Sequence, residues 1–198
     1  MGAARPLPDA LPDSLPKPFR ILAVCTGNVC RSPAVERLLA AGLPEDGVSI
    51  VSAGVEAQSG RTMTKPMAAL VAGAGADPSN FVARQLTRGM VAEANLVLAL
   101  TREHRAAVVT LHPGAVTITF TLRELGRLVA DIDPADLPNE SASARLTALL
   151  TLARNSRGLR QVPPREDDVL DPYGHDAGVY QQSFDELLGP VQSLLALF

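Results

Sequence analysis

The sequence predicts an α/β fold: one domain, a four-stranded parallel sheet with helices on both faces, plus an inserted helical segment. Three observations carry this. Short apolar runs alternate with segments of helical spacing from Phe19 onward, as a parallel sheet covered on both faces requires. The 198 residues suit a single core, and a 46% hydrophobic content can offset the chain entropy lost on folding. No internal repeat is visible. In order, Ile21–Val24 reads as the first buried strand, and Ser32-Pro33 opens a helix carrying Val35, Leu38 and Leu39. Val48–Ser52 is the second strand. A helical pattern follows over Met67–Val71 and ends near Gly73 or Gly75. Asn95–Leu100 is the third strand, and Glu103–Val109 a helix stopped by His112-Pro113-Gly114. Val116–Phe120 is the fourth strand. Leu146, Leu149, Leu150 and Ala153 then form one helical stripe capped by Ser141, expected to rest on the core, with a lid or dimer contact as the alternative. The last helix starts near Gly178 with Tyr180, Phe184, Leu187, Leu188 and Val191 on one face, and Pro190 should kink it.

Composition narrows the function classes. The net charge is −3 and no basic stripe stands out, which argues against nucleic acid as a partner. No apolar run reaches membrane-spanning length and no signal sequence opens the chain, so no membrane partner and a cytoplasmic location are expected. Residues 1–18 hold five of the sixteen prolines and read as a disordered extension, leaving 19–198 as the domain. Two cysteines are too few for a stapled scaffold, so reactivity matters more than cross-linking.

Both cysteines, Cys25 and Cys30, lie in the stretch ILAVCTGNVCRSPAVERLL, in the turn between the first strand and first helix. Ligands of open parallel sheets bind at the carboxyl ends of strands, where this turn falls. Gly27 and Asn28 permit unusual backbone angles, so successive N–H groups can form an anion nest. The helix near Ser32 adds its positive end, and Arg31 can grip two oxygens of a phosphoryl group at once. Such surroundings favour a nucleophilic thiolate at Cys25 inside a dianion cradle. A zinc site lacks ligands at the usual spacing, and a nucleotide P-loop motif is absent. A merely buried Cys25 would leave the polar choices Asn28, Arg31 and Ser32 without purpose.

The segment VCTGNVCRSPAVE resembles the signature of the low molecular weight protein tyrosine phosphatase family, which includes bacterial arginine phosphatases and thioredoxin-linked arsenate reductases. Ser52-Ala53-Gly54, Val82-Ala83-Arg84-Gln85-Leu86 and Asp171-Pro172-Tyr173-Gly174 resemble further family segments in the right order. The resemblance implies a cysteine-dependent phosphatase that needs no cofactor and no metal and acts on phosphorylated protein. Its oligomeric state stays open. Cys25 would be the nucleophile, Arg31 the phosphoryl-binding cation, and Asp171 the general acid and then base. Thr26, Gly27, Asn28, Val29, Cys30 and Ser32 would form the substrate loop, with Tyr173 beside the substrate ring. Asn28 would hold the loop through Ser52, Ser32 would donate to the Cys25 thiolate, and Cys30 would trap an oxidised Cys25.

The chain also departs from the family pattern. Many members have a histidine where this chain has Phe81, and some have an aromatic wall where it reads Val55-Glu56-Ala57-Gln58. About fifty residues separate Phe120 from Asp171, longer than in compact members. Phosphotyrosine hydrolysis is the leading expectation. Valine at position 29 lacks the hydroxyl that a threonine would offer to phosphoarginine, which is the alternative substrate. An arsenate reductase would need a relay thiol, and no cysteine follows Cys30. An inactive phosphate-binding regulator would not need Cys25, Arg31 and Asp171 together.

Overall fold

A computed structural model describes residues 17–44, 47–158 and 162–198. Most of the N-terminal extension therefore lies outside the described residues. Four strands form one parallel sheet: β1 (Phe19–Cys25), β2 (Val48–Gly54), β3 (Leu96–Ala99) and β4 (Thr119–Thr121), in the order β2-β1-β3-β4. Register runs from Phe19 opposite Val48 to Cys25 opposite Gly54. The chain leaves β1 for β2 on one side, then crosses to β3 on the other. That reversal makes the carboxyl end of β1 the switch point of the sheet, where a crevice opens for ligand.

Alternate residues of β1 feed two cores. Ile21, Ala23 and Cys25 face one side, where they join Leu96, Leu98 and Phe120 under α1 (Arg31–Gly42), α2 (Lys65–Gly73), α5 (Leu122–Val129), α6 (Ala142–Ser156) and α7 (Ala177–Leu195). Leu22 and Val24 face the other, with Val97, under α3 (Arg88–Glu93) and α4 (Arg102–Leu111). The two central strands, β1 from Ile21 on and β3, are continuous apolar runs because both faces are covered.

Two elements differ from the sequence reading. The fourth strand is not Val116–Phe120. Pro113-Gly114 starts a 3-10 turn over Pro113–Thr117, and the Thr119 hydroxyl donates to the Ala115 carbonyl at 2.7 Å, so the chain becomes extended only at Thr119. Val116 is exposed, not a strand residue. Two helices escaped the reading: α3, only six residues long, and α5, which opens with a capping box between Thr121 and Glu124. The stripe Leu146, Leu149, Leu150 and Ala153 is buried on α6 in the main core, and Ser141 accepts from the Ala144 N–H at the cap. Helix α7 runs through Pro190, which packs against Gly126 of α5.

Candidate active site

The loop Thr26–Cys30 is folded by its own polar atoms. Asn28 takes a left-handed φ of 53°, which asparagine tolerates better than most residues. Its amide spends both protons, donating to Ser32 Oγ at 2.9 Å and Ser52 Oγ at 2.8 Å. Ser52 in turn donates to Glu36 Oε2 at 2.6 Å, while Asn28 Oδ1 accepts from the Arg84 N–H at 2.8 Å. Ser32 Oγ lies 2.9 Å from Cys25 Sγ, and its other acceptor, the Ala53 carbonyl, is farther at 3.5 Å. The serine proton therefore points best at the sulfur. A line of hydrogen bonds thus runs from the buried Glu36 to the thiol. Asn28, Ser32 and Ser52 are fully buried behind the loop. The Asn28 and Ser32 side chains spend their polar atoms inward, behind the loop, and are not among the residues lining the cavity.

Gly54 at the end of β2 lets the loop come this close. A Cβ there would fall 2.4 Å from the Thr26 carbonyl oxygen and 3.0 Å from the Asn28 nitrogen. Backbone bonds complete the seat: the Val55 N–H donates to the Cys25 carbonyl and the Thr64 N–H to the Val29 carbonyl.

Arg31, the first residue of α1, is buried and faces the acid loop. It donates through Nη1 to the Val169 carbonyl at 3.1 Å and through Nη2 to Asp171 Oδ2 at 2.6 Å. Its Nε is buried with no partner among the described residues. A buried guanidinium N–H without an acceptor is costly, and an anion in the cradle would satisfy it. Asp171 precedes α7, and its other oxygen accepts from the Tyr173 N–H at 3.1 Å. The chain is anchored just before Asp171, by the Val169 N–H on the Leu100 carbonyl and by Ser183 Oγ donating to the Leu170 carbonyl.

The cavity between loop and acid is about 260 Å³, below the usual 300–1,000 Å³ of small-molecule pockets and fit for the end of one side chain. Cys25, Thr26, Gly27, Val29, Cys30, Arg31, Asp171 and Tyr173 line it, joined by Glu56 and Gln58. The Tyr173 hydroxyl donates to Gln58 Oε1 at 3.1 Å across the mouth. Every residue expected at the site from sequence is thus in or directly behind this cavity.

His104 of α4 was not foreseen. Its Nε2 lies 2.9 Å from Thr26 Oγ1 and its Nδ1 2.9 Å from Thr101 Oγ1. Burial, with the Arg31 charge adding to it, pulls this imidazole from 6.5 down to about 4, so it is neutral at pH 7. The available signal was the cap Thr101, three residues before a histidine at the carboxyl end of β3. Glu36 and Arg84 lie in segments that carry the family resemblance, but nothing in the sequence gives them a role in the loop. Phe81, at the histidine position of many family members, is buried with Arg37 over its ring. Burial pushes the Cys30 thiol up, against hydrogen bonds from Thr64 (3.2 Å) and Tyr180 (3.6 Å) that lower it.

A parallel α/β protein that presents a cysteine in a tight loop at the switch point, with arginine and aspartate converging on it, is built for cysteine-dependent phosphoryl chemistry. Comparison with known proteins agrees: residues 20–137 match the model of the low molecular weight phosphotyrosine protein phosphatase family. The chain is 38% identical over 105 residues to a probable low molecular weight protein-tyrosine-phosphatase, EpsP, of Ralstonia nicotianae, covering 53% of this chain and 71% of that one. It is 30% identical over 171 residues to a protein-arginine-phosphatase of Geobacillus stearothermophilus, covering 86% of this chain and 89% of that one. The crystal structure of the Erwinia amylovora tyrosine phosphatase AmsI superposes with a TM-score of 0.65 at 23% identity, over 94% of this chain and 96% of that one, which shows the shared fold. The chain belongs to the low molecular weight phosphotyrosine protein phosphatase family.

Proposed function

We propose that the protein hydrolyses phosphotyrosine on proteins through a cysteinyl-phosphate at Cys25. The observation that carries this is the convergence of Cys25, the unpartnered Arg31 Nε and Asp171 on one small cavity. The phosphoryl dianion enters with two oxygens on Arg31 and the others on the loop amides, taking over the Nη2 proton that Asp171 holds. Cys25 sulfur attacks phosphorus in line, and the P–O bond to the tyrosyl oxygen breaks. Ser32 supports the sulfur as a thiolate before attack. Arg31 and the loop N–H groups hold the charge on the equatorial oxygens, the kind of preorganised stabilisation that dominates such steps. Asp171, protonated, delivers its proton to the leaving oxygen. As a carboxylate it then takes a proton from water, which attacks phosphorus, breaks the S–P bond and releases phosphate.

Substrate choice rests on the walls. Val29 and Tyr173 offer apolar surface to an aryl ring, and valine gives no hydroxyl to a guanidinium. Phosphoarginine is the second reading, favoured by the Glu56 carboxylate in the cavity lining and by the long alignment with an arginine phosphatase. Turnover of matched phosphotyrosine, phosphoserine and phosphoarginine peptides decides between them. The wild type should favour phosphotyrosine in kcat/KM, and Val29→Thr should move the ratio toward phosphoarginine. Cys25→Ser should lose turnover and keep phosphate binding. A higher kcat/KM for phosphoarginine in the wild type would put the second reading first.

A further inference from the structure

A second depression adjoins the catalytic cavity and shares Val29, Gln58 and Tyr173 with it. It is larger, about 460 Å³, and its far wall is the segment from Gly60 to Lys65 that joins β2 to α2. Two charged residues line it, Arg61 and Lys65, and both are cations. Neither forms an ion pair with a described carboxylate. Arg61 Nη1 donates to the neutral amide oxygen of Gln58 at 2.8 Å, and Lys65 is exposed. The first turn of α2 carries no acidic residue and its cap Thr64 makes no side-chain bond to the helix, so the positive helix end adds to the same field. On a chain of net charge −3 this is a local reversal of sign. The two carboxylates nearby, Glu56 and Asp171, line the catalytic cavity and not this depression.

The trough is also held in shape. The Gly60 N–H donates to the Ala83 carbonyl at 2.9 Å, the Ala83 N–H to the Arg61 carbonyl at 2.8 Å, and the Thr64 N–H to the Val29 carbonyl at 2.8 Å. The two cations therefore project from a fixed backbone strip, which lowers the ordering cost of binding. A peptide whose phosphorylated side chain fills the catalytic cavity must leave past Gln58 and Tyr173, and one side of that exit is the trough.

Resting on the phosphatase reading, we propose that the trough between Tyr173 and the start of α2 binds an anionic side chain next to the phosphorylated residue, so that the substrates are acidic peptide segments. The anion is a carboxylate or a second phosphate, which share the chemistry Arg61 and Lys65 recognise. A substrate with a basic residue on that side is disfavoured by the same charges.

The test compares phosphotyrosine peptides that carry Glu, Gln, Lys or phosphoserine at each of the two positions on either side, with a simple aryl phosphate as reference. Exposed charge pairs are worth about 0.2–1 kcal/mol each, so with two cations Glu over Gln should gain about two- to thirtyfold in kcat/KM on one side of the phosphotyrosine, and Lys should fall below Gln. The gain should shrink in Arg61→Ala and in Lys65→Ala, vanish in the double variant, fade with added salt, and turn toward Lys in Lys65→Glu. A gain from Glu assigns carboxylates, and one from phosphoserine alone assigns a second phosphate. Equal kcat/KM for the Glu, Gln, Lys and phosphoserine peptides in a wild type that cleaves the aryl phosphate overturns the proposal and leaves the phosphatase reading standing. Failure on the aryl phosphate itself removes both.

Discussion

Asp171 holds Arg31 with one oxygen and the Tyr173 N–H with the other, so the acid is placed by the group that binds the phosphoryl oxygens. Asp171→Asn keeps much of that geometry and loses the proton. The rate should fall about 10²–10⁴-fold for poor leaving groups and much less for nitrophenyl phosphate, whose leaving oxygen needs little protonation. Equal losses for both substrates would remove Asp171 from the acid role. Asn28 gives a second prediction. Asn28→Ala leaves the Arg84 N–H without its acceptor, a loss worth about 1–3 kcal/mol, and takes the amide donors from Ser32 and Ser52, so stability to urea and kcat should fall together. A variant with wild-type stability would mean that the hydrogen-bond line from Glu36 does not hold the loop. The residues within Cys25–Ser32 were legible in sequence because an anion cradle is one continuous turn whose spacing is fixed by its chemistry. His104, 78 residues from the Thr26 it touches, was not, because nothing local in α4 says which strand end it will meet.

Among the elements, strands β1 and β3 were legible because two-sided burial writes them as apolar runs, and the edge strand β2 because Val48, Ile50 and Val51 keep strand composition around its serines. The fourth was misplaced because VTITF has the composition of a strand, yet the hydrogen bond from Thr119 to Ala115 commits its first half to a 3-10 turn. Helix α5 was hidden by Gly126 at its middle, a residue that lowers helix propensity. The structure gives the reason for that glycine. A Cβ there would sit 2.7 Å from Pro190 Cβ and 2.8 Å from Pro190 Cα on α7. Pro190 has no N–H for the turn before it, and the close seat of its ring on α5 helps keep that turn in place. Gly126→Ala should force the two helices apart and destabilise by about 1–3 kcal/mol despite the better helix propensity of alanine. Urea unfolding checks the sign, and a more stable variant would show that the α5–α7 contact yields without cost.

Across the whole molecule the sheet order puts one pH-sensitive contact between its two layers. His104 stands on α4, which covers one face, and reaches the Thr26 hydroxyl on the loop leading to α1, which covers the other. The groups that set its charge are Arg31 on α1, which disfavours the imidazolium, and Asp171 before α7, which favours it and loses to burial and Arg31. With a folded pKa of about 4 against 6.5, the folded protein resists a proton that the unfolded chain accepts. The unfolded state therefore binds more protons below 6.5, and stability must fall as the pH drops from there toward 4, levelling off below. Each pH unit in that window costs about 1.4 kcal/mol, or about 2 kcal/mol between pH 7 and pH 5, from this one group. Carboxylates titrate mostly lower and are shared by any variant. His104→Gln cannot charge, so its own loss between pH 7 and pH 5 should be smaller than that of the wild type by about 2 kcal/mol, whatever its stability at pH 7. Urea unfolding of both proteins at the two pH values gives the comparison. Parallel losses in the two would mean that His104 takes up its proton in the folded state, and that the contact between the layers survives acid.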